Sequence, residues 1–463
     1  MPALPRLSSR GVPSLAGELA GIVVLAALFL CIAAWNGFPL VFYDTGAYLV
    51  EGLQGAFLVE RSPVYSLLLA ATGSWYSLWP VVSLQALMTA WLISQTARCE
   101  VPQLSLAGLI GIGAGLVLLT GMAWYAGQVE PDCMTPMVVL GCYLLLFHAA
   151  KLSRTRIGLA VAITGLAVGC HPSHLGLIGG ILIVAAVLKF LSPLLLPRLH
   201  FPKIRLLPGI GALGFALALI LSSNFALAHA VFISRSGSVF VFSRLMQDGI
   251  VKKLLDETCP QSGYKLCAYR NQLKTRADAW LWGPNSAFKA QGGFVGSQTE
   301  DQRIIIDSVE RYPVLQVKMA IYDSVLQFFM FKTGDGIESQ EWILKPGIQR
   351  MMPGQLHAYL QARQQHNTIH FRDLNMLHVT VGMLSLLGLV LLLNHALLRR
   401  RWDEATLPGL VLLALIGNAI ICGTFSNPHD RYQSRLIWLP TLALLLARAR
   451  DPHALQPAEE SGT

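Results

Sequence analysis

Phe42-Tyr43-Asp44-Thr45-Gly46-Ala47-Tyr48 follows an apolar run from about Leu15 to Ala34, and this junction decides how the chain is read. A run of about 20 apolar residues is long enough to cross a hydrocarbon core of about 30 Å. Asp44 therefore stands where a first membrane span ends. The run is too long for a signal-peptide core, and Trp35-Asn36-Gly37 lacks a small-x-small cleavage site, so it reads as a retained span.

Similar runs recur along the chain. Of its 463 residues, 54% are hydrophobic and 13% charged, with mean hydropathy +0.52. A soluble domain carries about 25% charge, so this chain has too little to face water on all sides. The sequence predicts an all-α polytopic membrane protein with about ten spans, at 15–36, 78–97, 104–124, 133–150, 157–171, 174–192, 206–231, 374–397, 407–425 and 434–448. The net charge is +9, and its basic residues cluster between apolar runs: Arg6 and Arg10; Arg98; Lys151, Arg154 and Arg156; Arg198, Lys203 and Arg205; Arg399, Arg400 and Arg401; Arg448 and Arg450. With ten spans all of them fall on one face, which the positive-inside rule makes cytoplasmic together with both termini. The basic residues are not interleaved with stacking aromatics, which argues against nucleic acid as a partner. The expected location is a bacterial inner membrane, with the opposite polar loops on the periplasmic face.

The organisation follows. Residues 1–231 form an N-terminal membrane region with about seven spans and a first outer loop at 37–77; 232–373 are a mostly helical periplasmic insert; 374–450 add about three spans; 451–463 read as a disordered cytoplasmic tail. Within the first loop, Ala47–Phe57 has the spacing of an interfacial amphipathic helix, and Val64–Leu69 is apolar again. In the insert, Met246–Glu257, Asp301–Arg311 and Val314–Phe331 read as helices, the last ending in Phe328, Phe329 and Phe331, which suit a membrane surface or a lipid groove. Cys259 and Cys267 are the two cysteines away from the spans, and an oxidising compartment permits a bridge between them.

The outer loops collect the chain's chemistry. Asp44 and Arg61 lie in the first, Glu130 and Asp132 in the second, His171 and His174 in the third, and His429, Asp430, Arg431 and Tyr432 in the last. Ionisable groups at membrane boundaries are functional candidates. Each also has a plainer reading. Asp44 suits an N-cap. Glu130-Pro131-Asp132 suits a helix start, or, with a substrate phosphate, a divalent cation. His171-Pro172-Ser173-His174 suits a turn bonded to its own backbone, or contacts to a phosphate or sugar hydroxyl. A lone His-x-x-His is weak evidence for zinc, and no ligand set here identifies a metal. Arg431 and Arg435 lie one helical turn apart, so they share a face, and the guanidinium fork matches phosphate. Tyr43 and Tyr48 flank Asp44 with hydroxyls and ring faces.

Taken together, Asp44 after the first span, Arg61-x-Pro63-x-Tyr65, the acidic pair Glu130 and Asp132, and His429-x-Arg431-Tyr432 before the last span resemble the GT-C class of membrane glycosyltransferases. That class includes protein O-mannosyltransferases and lipid A aminoarabinose transferases. The resemblance covers roughly the first 190 residues and the last 60. It implies a polyprenyl-phosphate-linked sugar donor, a glycan, lipid or protein acceptor, and a periplasm-facing site. Asp44 is then the catalytic carboxylate, with Arg431, Arg61 and His429 on the donor phosphate. Glu130, Asp132, His171, His174, Tyr43, Tyr48 and Tyr432 are candidates for substrate, or for a divalent cation as the one candidate cofactor. Two departures stand out: Thr45 occupies the position where some members carry a second acid, and the large insert precedes the last three spans rather than following them. An O-antigen polymerase or ligase, a transporter or flippase of lipid-linked glycans, and a non-catalytic assembly protein are the alternatives.

Overall fold

A computed structural model describes residues 15–195 and 202–450. Arg6, Arg10 and Arg198 of the basic clusters and the tail 451–463 lie outside the described residues. Among the described residues the structure is helical without a strand; a single parallel bridge joins Leu40 to Gln128. Helices stand at each of the predicted span positions. Five of them, Pro131–His148, Pro172–Leu191, Leu206–Ala228, Phe371–Leu398 and Trp402–Phe425, are long and apolar enough to cross a membrane. This is the signature of a membrane protein.

The other helices differ for visible reasons. The first span is broken into Leu15–Phe29 and Cys31–Asn36, and the third into Leu106–Leu119 and Met122–Ala126. Trp79–Glu100 is 22 residues long but buries Gln85, Gln95 and Glu100. Pro131–His148 is almost wholly enclosed by its neighbours. It therefore has no lipid face and forms the centre of the bundle.

The two ends of the bundle carry different charge networks. Glu18, in the first turn of Leu15–Phe29, meets Arg156 at 2.7 Å and Arg98 at 3.4 Å. Glu100 pairs with Arg450 and accepts from the Tyr143 hydroxyl. These contacts gather the basic helix ends away from Asp44, which follows the opposite end of the first helix.

The 232–373 segment is divided. Gly237–Gln247, Ile250–Thr258 and Gln298–Arg311 surround a core of their own with Phe242, Leu254, Trp280 and Ile304. The predicted helix at Met246–Glu257 is thus two, separated at Asp248 and Gly249. Cys259 and Cys267 are joined by a disulfide. Later residues, Phe331, Leu344, Ile348 and Tyr359, belong to the main core of the bundle. Of the three aromatics expected at a membrane surface only Phe329 is exposed; Phe331 is buried in that core and Phe328 packs against it.

Candidate active site

Backbone pairing brings the first two loops together before any side chain is considered. Leu40 N–H donates to the Gly127 carbonyl at 3.0 Å, and Val129 N–H to the Leu40 carbonyl at 2.8 Å. The Thr45 hydroxyl accepts from Phe42 N–H and donates to the Val129 carbonyl, both at 2.9 Å. Thr45 therefore splices the loops, a task an acid at this position could not perform as a donor.

Asp44 stands at the N-cap of Thr45–Gln54 but makes no side-chain cap bond. Its carboxylate instead meets Arg61 at 2.5 Å and Arg431 at 3.9 Å. Arg431 lies 3.7 Å from Glu130 and 3.8 Å from Asp132. Arg435 pairs with Asp132 at 2.5 Å and donates to the Asn418 side-chain oxygen at 3.2 Å. Four separate segments thus place three carboxylates and three guanidinium groups in one cluster. The shared helix face of Arg431 and Arg435 is realised at Asp132, which both approach.

The rings beside the cluster orient it. Arg431 stacks on Phe42, 4.3 Å from the ring centroid, and on Tyr432 at 4.8 Å. Trp282 covers Arg61 at 5.4 Å. Tyr48 is buried edge-to-face against Tyr65 with centroids 4.9 Å apart. Tyr43 is turned toward Glu338, to which its hydroxyl donates. Gly336 allows the insert to close over this corner: its φ is +76°, and a Cβ would stand 1.8 Å from the Phe42 ring.

The electrostatics are asymmetric. Burial raises the Glu130 carboxyl well above the usual carboxylate range, and the charges of Asp44 and Asp132 push the same way against Arg431 and Arg61. Its buried Oε2 makes no hydrogen bond among the described residues. Burial and its two acidic neighbours thus weigh against charge on Glu130, although its Oε1 lies 3.7 Å from Arg431. Asp44 keeps 17% of its side chain accessible and Arg431 14%, whereas Arg435 keeps none. An incoming ligand can therefore reach the first two and not the third.

His429 is held between Asp278 at 3.3 Å and Asp335 at 3.5 Å. Burial opposes its charge, but the hydrogen bonds it donates to the two carboxylates outweigh that and raise its pKa to about 10. A free histidine titrates near 6.5. A folded-state pKa above the unfolded one means that the charge stabilises fully below about pH 6.5 and less as pH rises through about 10. Thermal midpoints measured in detergent between about pH 7 and 10 are expected to fall, and His429→Gln to flatten that fall.

The paired histidines of the third loop stand within range of the cluster's charges, those of Arg61, Arg431 and Arg435 at His171 and those of Arg435 and Asp132 at His174, but both are held by local hydrogen bonds. His174 is fully buried, its Nδ1 donating to the Ala167 carbonyl and its Nε2 facing the Thr135 hydroxyl, both at 2.7 Å. Both ring nitrogens are occupied, so His174 is a structural link and not a metal ligand. His171 accepts from Ser173 N–H at 3.2 Å and caps the helix that follows. Among the described residues no three His, Cys, Asp or Glu side chains converge as a metal site.

Asp278, Asp335 and Phe42 join the site although no sequence pattern marks them for it. Asp335 lies in the Thr333-Gly334-Asp335-Gly336 turn, legible as a turn only, and its Oδ2 also accepts from Arg431 N–H at 3.1 Å. Asp278 carries no local signal. A small hollow of about 20 Å³, room for roughly one water, is lined by both polar and apolar side chains, among them Phe57, Glu60, Arg61, Leu175, Asn224 and Phe232. No protein-family model, curated protein or solved structure matches the chain.

Proposed function

We propose that the chain is a membrane-bound glycosyltransferase of the GT-C type, moving a sugar from a polyprenyl-phosphate-linked donor to a glycan, lipid or protein acceptor at the periplasmic side of a bacterial inner membrane. The observation that carries this reading is the meeting of Asp44 with Arg61 and Arg431, residues from opposite ends of the sequence, at 2.5 and 3.9 Å. Catalytic groups have to share one substrate. Widely separated loops would have favoured a transporter or an assembly protein.

The chemistry runs as follows. The acceptor oxygen bonds to the anomeric carbon, and the acceptor proton passes to Asp44. The bond from the anomeric carbon to the donor phosphate oxygen breaks, and its electron pair leaves with the lipid phosphate. Arg431 and Arg61 face the charge that develops there. In the free protein Arg61 holds Asp44 at 2.5 Å. A donor phosphate competes for Arg61 and Arg431, and so releases Asp44 when it is needed.

The ten-span arrangement belongs to the same proposal. It is supported by the gathering of Arg98, Arg156 and Arg450 around Glu18 and Glu100, away from Asp44.

The test is chemical. Lipid-linked sugars and surface glycans extracted from cells with and without the gene are compared by mass spectrometry. A polyprenyl-monophosphate sugar is expected to accumulate without it. Unchanged lipid-linked sugars and glycans overturn the reading. Accumulation of a pyrophosphate-linked oligosaccharide would assign a polymerase or ligase instead.

A further inference from the structure

Helix Pro313–Phe329 is built the wrong way round for a water-facing helix. A surface helix buries its apolar stripe and exposes its polar one. Here the buried residues are Asp323 and Gln327, and the exposed ones include Val317, Ile321, Tyr322, Val325 and Phe329. Val317, Ile321, Val325 and Phe329 recur every four residues with Tyr322 beside Ile321, which puts them on one face.

The polar face is turned into the protein. Asp323 lies 3.9 Å from Arg244, which also meets Asp248 at 2.5 Å and donates to the Thr424 carbonyl at 3.1 Å. Gln327 brackets the backbone of His429, accepting from its N–H at 2.9 Å and donating to its carbonyl at 2.8 Å. Lys332 N–H donates to Asp430 at 2.8 Å. The helix packs along Trp402–Phe425. At Gly423 the backbones approach so closely that a Cβ would stand 2.7 Å from the Asp323 carbonyl. Trp402–Phe425 is itself long and apolar enough to cross a membrane, and it too exposes Ile416, Ile420 and Phe425.

We infer that the outward face of Pro313–Phe329, from Ile321 to Phe329, lies in the acyl chains of the bilayer beside Trp402–Phe425. Lys318, exposed one turn before Ile321, places its ammonium among the lipid headgroups while its stem follows the apolar face. The occupant is lipid because the apolar face continues onto a helix of membrane-crossing length, and because the polar residues that water would solvate are the ones turned inward. Part of the insert is then a membrane element. It holds the backbone of His429 through Gln327, so bilayer contact and the position of Arg431, two residues on, are mechanically joined.

The test uses the full-length chain in vesicles of phosphatidylcholine and phosphatidylglycerol. A diazirine-bearing amino acid is placed at Ile321 or Val325, and at Ile306 as an equally exposed control on Gln298–Arg311. After illumination, mass spectrometry is expected to find several-fold more lipid adduct at 321 and 325 than at 306. Equal yields at all three positions, or a covalent dimer of the chain in place of lipid adducts, overturns the inference. Hydroxyl-radical footprinting of the unaltered chain in the same vesicles is an independent reading. Tyr322 and Phe329 are expected to be protected while Trp282, of similar exposure, is oxidised. Oxidation of all three at one rate overturns the inference equally.

Discussion

Asp44→Asn is expected to lower sugar transfer by about 100- to 10,000-fold, the range a positioned general base supplies, while the protein accumulates in the membrane at its usual level. Asparagine keeps the size of the side chain and an oxygen facing Arg61, so the junction between the first loop and Thr45–Gln54 keeps its shape. What it removes is the capacity to take a proton. Arg61 loses a charged partner at 2.5 Å and keeps a neutral one. The measurement is transfer of a radiolabelled sugar from a polyprenyl-phosphate donor by purified protein, with donor binding followed separately. Loss of turnover with donor binding retained assigns Asp44 to the chemical step. Full activity would remove Asp44 from the mechanism, and loss of binding alone would make it an organiser of the arginines.

Arg435→Leu is expected to destabilise the fold by about 3–5 kcal/mol, the usual cost of leaving one partner of a buried ion pair alone. Arg435 is inaccessible, and its guanidinium meets Asp132 at 2.5 Å. Without it Asp132 retains only Arg431 at 3.8 Å, and the Asn418 side-chain oxygen loses its guanidinium donor. Adding Asp132→Leu is expected to recover a large part of the loss, because two isolated buried charges cost more than none. Unfolding in mixed detergent micelles for the two single variants and the double variant closes the cycle. A loss below about 1 kcal/mol for Arg435→Leu would place the pair among solvated surface bridges.

The charged residues at the apolar boundaries were the most readable part of the sequence, and physics explains why. In a chain this greasy, Asp44, Arg61, Glu130, Asp132 and Arg431 are conspicuous because apolar residues surround each of them. Their meeting point was legible as a shared set of loops. The distances were not, because they depend on pairings such as Leu40 with Gln128 that leave no periodic trace. Asp278 and Asp335 were hidden for the opposite reason: they sit in an ordinary polar segment, where another acid carries no information. Arg435 was visible as a neighbour of Arg431, but its burial against Asp132 is a tertiary fact.

The helices show the same division. Apolar runs announced where helices stand. They did not announce the breaks at Leu30 and after Leu119, or the enclosure of Pro131–His148, which comes from packing on every side. The pattern over Val314–Phe331 reads as a helix, and the structure has one at Pro313–Phe329. That its polar side faces inward depends on Arg244 and the His429 backbone, from segments far away in the chain.

The side chain of Gln364 accepts from Val41 N–H at 3.0 Å and donates to the Val41 carbonyl at 2.7 Å. The adjacent Leu40 is already paired with Gly127 and Val129. Two consecutive residues are therefore stitched on both flanks, one to the second loop and one to the insert. A segment held this way is poorly suited to swing as a lid, since any outward movement would sever bonds to two separate parts of the molecule at once. Under the proposed function, admission of a ligand to Asp44 then falls to side chains, above all to Arg61 exchanging one anion for another, over a backbone that stays where it is.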